Sequence, residues 1–200
     1  EGTFYHLWYL PAAILGAWIT SLLIRRTSRR VCAAAVVALY VIGLLGDSYW
    51  GLIENVPGVS SVYNAIFTIM GYTRNGLFFA PMFMLLGARL KNARQSSAGF
   101  EIAGLIAGFA LMLCEALFAR SQGWQRHDSM YVMLPFVMYF LFALLSRSKG
   151  TVKLPLGGFS LLVYIIHPAV IIVVRGAARF MGLWEIFVEN SLGHYIVVCI

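Results

Sequence analysis

A few ionisable and aromatic residues lie inside or beside long apolar stretches of this chain. Burying an ionisable group in hydrocarbon costs roughly 2.5 kcal/mol or more on insertion scales, so each such residue is a functional-site hypothesis. The candidate substrate-binding residues are His6, Trp8, Tyr9, Arg74, Asn75, Glu115, His127, Asp128 and His167. Their chemistry suits the binding of a small polar molecule, because the set combines a guanidinium, carboxylates, imidazoles and aromatic faces.

Arg74 stands at a predicted junction between a loop and a helix. Arg74-Asn75-Gly76 leads into an apolar run, so the arginine is predicted at the start of a helix whose first turns contain Pro81. An arginine fork at such a junction suits a carboxylate or a phosphate, helped by free backbone N–H groups at the positive helix end. The structural alternative is an arginine that snorkels to lipid headgroups.

Glu115, His127 and Asp128 lie near one predicted helix end and in the loop that follows it. Glu115 has two interpretations, since it pairs with a nearby arginine or lines a substrate path. Adjacency of His127 and Asp128 does not by itself make a catalytic pair. Capping of a helix that begins near Met130, by Asp128 or Ser129, is the favoured interpretation of that loop.

The remaining candidates lie near the two ends of the chain. Pro168 follows His167 inside an apolar run and removes a backbone donor there, which exposes polar groups to a cavity. A histidine satisfied by another helix is the alternative. His6, Trp8 and Tyr9 open the first apolar run, where an aromatic belt at the membrane surface explains Trp and Tyr without a substrate.

Composition indicates which kind of secondary structure holds these residues. With 60% hydrophobic residues, 12% charged residues and a mean hydropathy of +0.81, the chain falls outside the soluble globular range. The prediction is an all-α, polytopic transmembrane helix bundle in contact with the lipid bilayer. The net charge of +7 has no accompanying basic helix or aromatic-basic motif, so nucleic acid is not an expected partner.

Charge clusters divide one transmembrane domain, residues 1–200, into seven predicted crossings. Residues 46–75 form an outer loop whose 59–70 segment is apolar enough to be interfacial or re-entrant. Helices need about 20 residues to cross the hydrocarbon, so the shorter runs require thinning or burial. The crossings are 5–24, 31–45, 76–88, 100–119, 130–146, 159–174 and 191 onward.

Basic residues are distributed unevenly between the two predicted faces. With the first N-terminus outside, ten of the 15 Lys and Arg residues lie inside and five outside. This bias predicts a multi-pass protein of the bacterial plasma membrane with a cytoplasmic C-terminus. Because Glu1 is no initiator and Ile200 stops within an apolar run, further sequence is expected on both sides.

Cysteine contributes little to the expected chemistry. Cys32, Cys114 and Cys199 fall in or beside apolar segments without the paired spacing of a metal site or a redox motif. They are predicted to be buried free thiols that pack as small hydrophobic residues. No metal site and no disulfide is expected.

Several segments together resemble a known family. Residues 5–11, Arg74-Asn75-Gly76 with Phe79 and Pro81, and residues 164–168 look like the later helices of the acyltransferase-3 family of integral membrane proteins. Residues 39–48, 73–79 and 127–131 are most similar to the membrane portion of vancomycin-resistance-type serine racemases within that family. The similarity extends over most of the chain.

The family resemblance implies a bundle of roughly ten helices and acyl transfer from acyl-CoA to a cell-surface sugar or similar acceptor. The narrower resemblance implies that the membrane part delivers L-serine to a fused cytoplasmic racemase domain that uses pyridoxal phosphate. No cofactor is then expected in this chain itself, since pyridoxal phosphate belongs to the downstream domain. A domain that serves only as a membrane anchor is the third interpretation.

These interpretations assign different roles to the same residues. Delivery uses Arg74 for the amino-acid carboxylate and Glu115 or an aromatic face for the ammonium. Acyl transfer uses Arg74 and the cytoplasmic basic loops for an anionic donor, with a general-base histidine from helices outside this chain. The family's catalytic histidine lies upstream of these residues, so the resemblance does not assign that role to His6 or His167. Whether the chain acts as an enzyme stays open.

Overall fold

The computed structural model describes residues 9–90, 96–147 and 180. The described part is helical without strands, which confirms the all-α class, and its helices belong to one compact unit, Tyr9–Lys149. The predicted crossings 159–174 and 191 onward lie outside the described residues. The helices are α1 (Tyr9–Arg26), α2 (Arg29–Leu45), α3 (Val59–Met70), α4 (Ala80–Leu90), α5 (Ala98–Ser121) and α6 (Leu134–Ser146), with a short 3₁₀ turn at Trp50–Leu52.

Two helix starts follow from serine caps. Ser28 Oγ accepts a hydrogen bond from the backbone N–H of Val31, and Ser97 Oγ accepts one from Phe100, so α2 and α5 each begin one residue after a serine. Within the described part, α5 alone is both long and apolar enough to cross a membrane. Helices α3, α4 and α6 are shorter and apolar, so seven crossings are not confirmed.

Helix α5 has apolar side chains on all sides, and only 11% of its most hydrophobic stretch is buried inside the protein. A core helix of a soluble protein would be mostly buried. The exposed side chains include Phe100, Ile106, Phe109, Leu113 and Leu117. This surface matches a helix that faces lipid.

Helix α6 begins later than the sequence predicts. It starts at Leu134 after Met133, and no side chain caps it from within the loop. The prediction that Asp128 or Ser129 caps a helix near Met130 is therefore wrong. The backbone N–H groups of Ser129 and Met130 instead donate to the distant Asp47 carboxylate, which holds this stretch in a loop.

Helix α4 also begins later than predicted, at Ala80 rather than at residue 76. The side chain of Asn75 explains the delay, because its Oδ1 accepts hydrogen bonds from the N–H groups of Leu77 and Phe78. Such local bonds compete with helical ones and favour a turn. Arg74 consequently lies in an irregular segment rather than at a helix start.

The protein core is divided between the two ends of the helices. One cluster contains Cys32, Val36 and Leu85, and another contains Tyr40, Leu44 and Met130. Cys32 is a buried free thiol as predicted, but Cys114 is exposed on α5, so burial of that thiol was a wrong prediction. The reason is that Cys114 lies on the apolar outer surface of α5.

Helices α1 and α4 approach closely through small residues. A Cβ atom added at Gly76 would lie 2.8 Å from the carbonyl oxygen of Ala12 and 2.9 Å from its Cα. A Cβ at Gly16 would meet the Cβ of Ala80, with the Ala80 backbone carbon 3.3 Å away. Because backbone atoms face Gly76 and the rigid Cβ of an alanine faces Gly16, no flexible side chain can move aside to make room.

Replacing Gly76 with alanine is expected to lower the free energy of unfolding by about 1–3 kcal/mol, since α1 and the segment before α4 must separate. Gly87→Ala, within α4 itself, is the control, because a Cβ at Gly87 meets nothing within 4 Å. The control should be neutral or slightly stabilising. Thermal unfolding in detergent measures both, and equal midpoints would contradict the close packing.

Candidate functional site

Three connections meet at the end of the bundle that the sequence assigns to the outer face. They are the segment after α2, the segment before α4 and the loop between α5 and α6. Thr73 Oγ1 donates to the carbonyl oxygen of Gly43 over 2.8 Å, and the N–H of Arg126 donates to that of Asp47 over 3.1 Å. The N–H of Gly51 donates to the Trp124 carbonyl over 2.8 Å. These bonds hold residues distant in sequence in one place.

Asp47 lies at the centre of this end and is only 1% exposed. Its Oδ1 accepts hydrogen bonds from the backbone N–H groups of Ser129 and Met130 at 2.8 and 3.0 Å, and from Ser48 Oγ at 3.1 Å. Its Oδ2 is buried and has no hydrogen-bond partner among the described residues. Asp47 therefore anchors the loop between α5 and α6.

Sequence reasoning did not include Asp47 among the site residues. The available signal was a single carboxylate directly after an apolar helix, next to a serine. Such a residue also fits an ordinary exposed loop, and only the fold shows that its partners are 82 and 83 positions away.

Arg74 contacts the loop that Asp47 anchors. Its guanidinium donates to Ser129 Oγ over 2.6 Å, and the side chain is half-buried. Asp47, Ser129 and Arg74 thus form a continuous chain of hydrogen bonds. The free helix-end N–H groups expected beside Arg74 are absent here, because those of Leu77 and Phe78 are bonded to Asn75.

His127 and Asp128 lie at the exposed side of this arrangement. The imidazole is 4.7 Å from the Tyr72 ring, centroid to centroid. Burial lowers the pKa of His127 below 6.5, the neighbouring Arg126 and Arg74 charges lower it further, and Asp47 and Asp128 oppose the shift. The imidazole is therefore neutral at neutral pH. Asp128 is exposed, and its carboxylate makes no hydrogen bond or ion pair within the described part.

We call Arg74, His127, Asp128 and Ser129, together with the Tyr72 ring, the outer cluster. Of the other predicted residues, Tyr9 begins α1 and is exposed, and Asn75 shapes the turn before α4. His6, Trp8 and His167 lie outside the described residues. The described ranges contain no group of three residues suited to bind a metal.

Glu115 has a different environment from the outer cluster. Its Oε1 accepts hydrogen bonds from Tyr49 Oη and the N–H of Val132, both at 2.5 Å, and its Oε2 accepts one from the N–H of Met133 at 2.9 Å. Of the two interpretations of Glu115, pairing with an arginine is not found among the described residues, where the ion pair joins Glu101 and Arg147. Burial and the Glu115 hydrogen bond raise the pKa of Tyr49, which keeps its hydroxyl protonated as a donor.

Aromatic residues of the predicted outer loop cover the adjoining surface. Trp50 packs edge-on against Tyr63 and Phe67, and the guanidinium of Arg126 lies 3.4 Å from the centre of the Phe67 ring. Tyr63 Oη donates to the carbonyl of Ile42 over 2.8 Å, which ties α3 to the end of α2. Whether α3 lies in the membrane interface stays a prediction.

The arrangement offers complementary polar groups in a small region. A guanidinium binds a carboxylate through paired hydrogen bonds, an exposed carboxylate binds an ammonium, and a serine or a neutral imidazole binds a hydroxyl. Arg74, Asp128, Ser129 and His127 supply these groups. The outer cluster therefore has the chemistry to bind a small zwitterion.

Comparison with known proteins gives relatives over the full chain. Two amino-acid racemases of Enterococcus faecalis are 38% and 34% identical over 201 and 203 residues, and a serine/alanine racemase of Enterococcus gallinarum is 38% identical over 205 residues. All of this chain is covered in each case, but it spans only 28% of the length of each relative. No solved structure matches at a significant level.

The model of the acyltransferase-3 family, described as an acyltransferase domain, matches residues 1–200. The predicted resemblance is thereby confirmed, together with its similarity to racemases. Because the match covers the whole chain, the protein belongs to the acyltransferase-3 family.

Proposed function

We propose that this domain binds L-serine at the outer cluster and delivers it across the membrane to a racemase domain of a longer protein. The names of the relatives support this proposal, since they are an amino-acid racemase and a serine/alanine racemase. The chain accounts for 28% of their length, which leaves room for a separate catalytic domain in those proteins.

The proposal includes a multi-pass position in the bacterial plasma membrane. It is supported by the lipid-like surface of α5 and by the family, which is membrane-associated. The arginines at the α1–α2 turn and the end of α4 mark the cytoplasmic side under the positive-inside rule. The outer cluster then opens toward the cell exterior, and the C-terminus of the chain lies in the cytoplasm.

The hydrogen bond between Arg74 and Ser129 carries the proposal. It holds a guanidinium beside a neutral imidazole on a loop fixed by Asp47. A pre-positioned guanidinium loses less side-chain entropy on binding than a freely moving one. In this proposal the substrate carboxylate binds Arg74.

The ammonium group of the substrate requires a second partner. Glu115 is a poor choice, because both of its oxygens accept hydrogen bonds from residues at the start of α6 and one also binds Tyr49. Asp128 and the face of Tyr72 lie beside His127 and are exposed. We therefore assign the ammonium to Asp128 and the Tyr72 ring, by charge and cation–π attraction.

Replacement of Arg74 by glutamine is expected to weaken L-serine binding about ten-fold or more, since a charge-assisted contact to the carboxylate is lost. The test measures equilibrium binding of labelled L-serine and of L-serine amide to the full-length protein in detergent. The wild type should prefer serine, and Arg74→Gln should remove that preference because the amide lacks the carboxylate. Uptake into proteoliposomes should fall in parallel.

Arg120→Gln is the matched control, because Arg120 is an exposed arginine at the same end and its side chain makes no polar contact within the described part. Its serine affinity should stay within about two-fold of the wild type. Equal weakening for serine and for its amide in Arg74→Gln would instead assign Arg74 a structural role.

Acyl transfer is the second candidate function, because the family model is that of an acyltransferase domain. It requires an acyl-CoA donor and a hydroxyl-bearing acceptor such as a cell-surface sugar. Acyl-CoA consumption by the full-length protein, without saturable serine binding, would favour this function. A protein that shows neither activity would have a membrane anchor here.

A further inference from the structure

The opposite end of the described bundle contains a cavity where α1, α2 and α4 meet. Its volume is about 660 Å³. Three arginines contribute to its lining: Arg29 and Arg30 from the start of α2, and Arg89 from the end of α4. The other lining residues are Ile24, Thr27, Cys32, Ala33, Leu85 and Ala88. None of these residues belongs to the outer cluster.

The positive charge at this cavity is not compensated within the described ranges. The ion pair found among the described residues joins Glu101 and Arg147, and neither residue lines the cavity. Arg89 donates a hydrogen bond to the backbone carbonyl of Arg29 over 3.0 Å, which neutralises neither charge. Arg25 and Arg26 at the end of α1 add two more positive charges nearby. Like charges gathered in this way repel one another, so the site favours an anion.

The remaining wall of the cavity is apolar. Ile24, Ala33 and Leu85 contribute aliphatic surface, and Cys32 is buried in the adjoining core. The hydroxyl of Thr27 already donates to the Leu23 carbonyl, so it does not make this wall polar. A ligand that matches the whole cavity therefore has an anionic group at one end and an apolar chain at the other.

We propose that this cavity binds the phosphodiester headgroup of an anionic phospholipid from the inner leaflet. Arg29, Arg30 and Arg89 bind the phosphate oxygens, and an acyl chain lies against Ile24 and Leu85. Guanidinium groups form strong, directional hydrogen bonds to phosphate, and basic cavities between helices on the cytoplasmic side suit lipid headgroups. The inference rests on the membrane orientation above and not on serine binding.

A soluble phosphate compound shares the anionic chemistry of this ligand. Coenzyme A and pyrophosphate are the relevant examples, since either would place phosphate groups among the same arginines. We assign the lipid because the cavity combines charge with an apolar wall. It also lies at the end of the bundle that the arginines place at the inner headgroup layer.

The test measures binding of phosphatidylglycerol to the delipidated full-length protein by native mass spectrometry, in the absence of amino acid. Phosphatidylcholine is the neutral comparison lipid. The double variant Arg29→Gln/Arg89→Gln should lose about ten-fold or more in affinity for phosphatidylglycerol. Arg25→Gln/Arg26→Gln removes the same charge beside the cavity without altering its lining, and should stay within about three-fold of the wild type.

Three outcomes would overturn the assignment. Equal losses of phosphatidylglycerol affinity in the two double variants would indicate a general attraction of the lipid to the basic surface. Equal binding of phosphatidylcholine would show that the net negative charge of the lipid has no role. Saturable binding of coenzyme A or pyrophosphate that depends on Arg29 and Arg89, without a matching effect on phosphatidylglycerol, would assign a soluble ligand. The thermal unfolding midpoints of both double variants show whether they fold. Serine binding is measured in a separate experiment, so the failure of the lipid proposal can be distinguished from failure of the serine proposal.

Discussion

Glu115→Ala should destabilise the protein by about 2–3 kcal/mol and weaken serine binding. The substitution leaves the N–H groups of Val132 and Met133 and the hydroxyl of Tyr49 without their common acceptor. Hydrogen bonds to a charged group contribute about 1.5–3 kcal/mol, and part of this loss is recovered from water because Glu115 is only half-buried. The midpoint of thermal unfolding in detergent measures the effect.

Two further variants separate the loss of the hydrogen bonds to Glu115 from the general effect of removing a charge. Glu115→Gln keeps an acceptor oxygen and should cost less than half as much as alanine. Glu54→Ala removes the same charge from an exposed carboxylate that makes no polar contact within the described part, and should change stability by less than about 0.5 kcal/mol. If Glu115→Ala unfolds at the same temperature as Glu54→Ala, the start of α6 does not depend on this carboxylate.

Asp47→Ala should have a comparable effect, with a loss of about 3 kcal/mol in the free energy of unfolding. The N–H groups of Ser129 and Met130 would lose their acceptor, and Met130 is fully buried. The loop that carries Ser129 would lose its attachment, so Arg74 would lose a fixed partner. Thermal unfolding and serine binding should both report the change.

Asp47→Asn provides the sharper comparison for the same site. Asparagine keeps the Oδ1 acceptor for both N–H groups, whereas its amide nitrogen replaces an Oδ2 that has no partner among described residues. Stability should therefore fall less than in the alanine variant. Asp128→Asn, at an exposed carboxylate, is the stability control and should be near neutral. Equal unfolding of the alanine and asparagine variants would contradict the role of Oδ1.

These two carboxylates give the outer cluster its shape without belonging to it. Asp47 fixes the middle of the loop between α5 and α6, and Glu115 fixes the end of that loop at α6. Between these two attachments, Arg74 donates a hydrogen bond to Ser129 of the same loop. A binding site on a loop held at two points is better ordered than one on a free loop, which lowers the entropy lost on binding.

Apolar run length and the charge clusters between the runs were sufficient to predict the main helices. Residues 31–45 and 100–119 lie within α2 and α5, because each run is bounded by charge and preceded by a serine cap. Composition alone predicted the all-α class. The motifs around Arg74 and His127 predicted the family, since they involve residue types and spacing and not tertiary contacts.

The sequence also predicted that Arg74, His127 and Asp128 would lie on the same face, from the alternation of predicted crossings. It did not predict that Arg74 would bond to Ser129, because that contact joins positions 55 residues apart. The starts of α4 and α6 were placed too early for a related reason. Apolarity continues through residues 76–79 and 130–133, and only side-chain hydrogen bonds divert the backbone there.

Hydrophobicity, charge clusters and residue motifs were enough to predict the helical class, the approximate spans and the family. The partners of Asp47 and Glu115 depend instead on the tertiary structure. Asp47 bonds to Ser129, 82 positions away, and Glu115 bonds to Met133 across a loop. No pattern in the sequence identifies which distant N–H or O–H group will donate to a given carboxylate. Its partners depend on which loops the packed helices bring together.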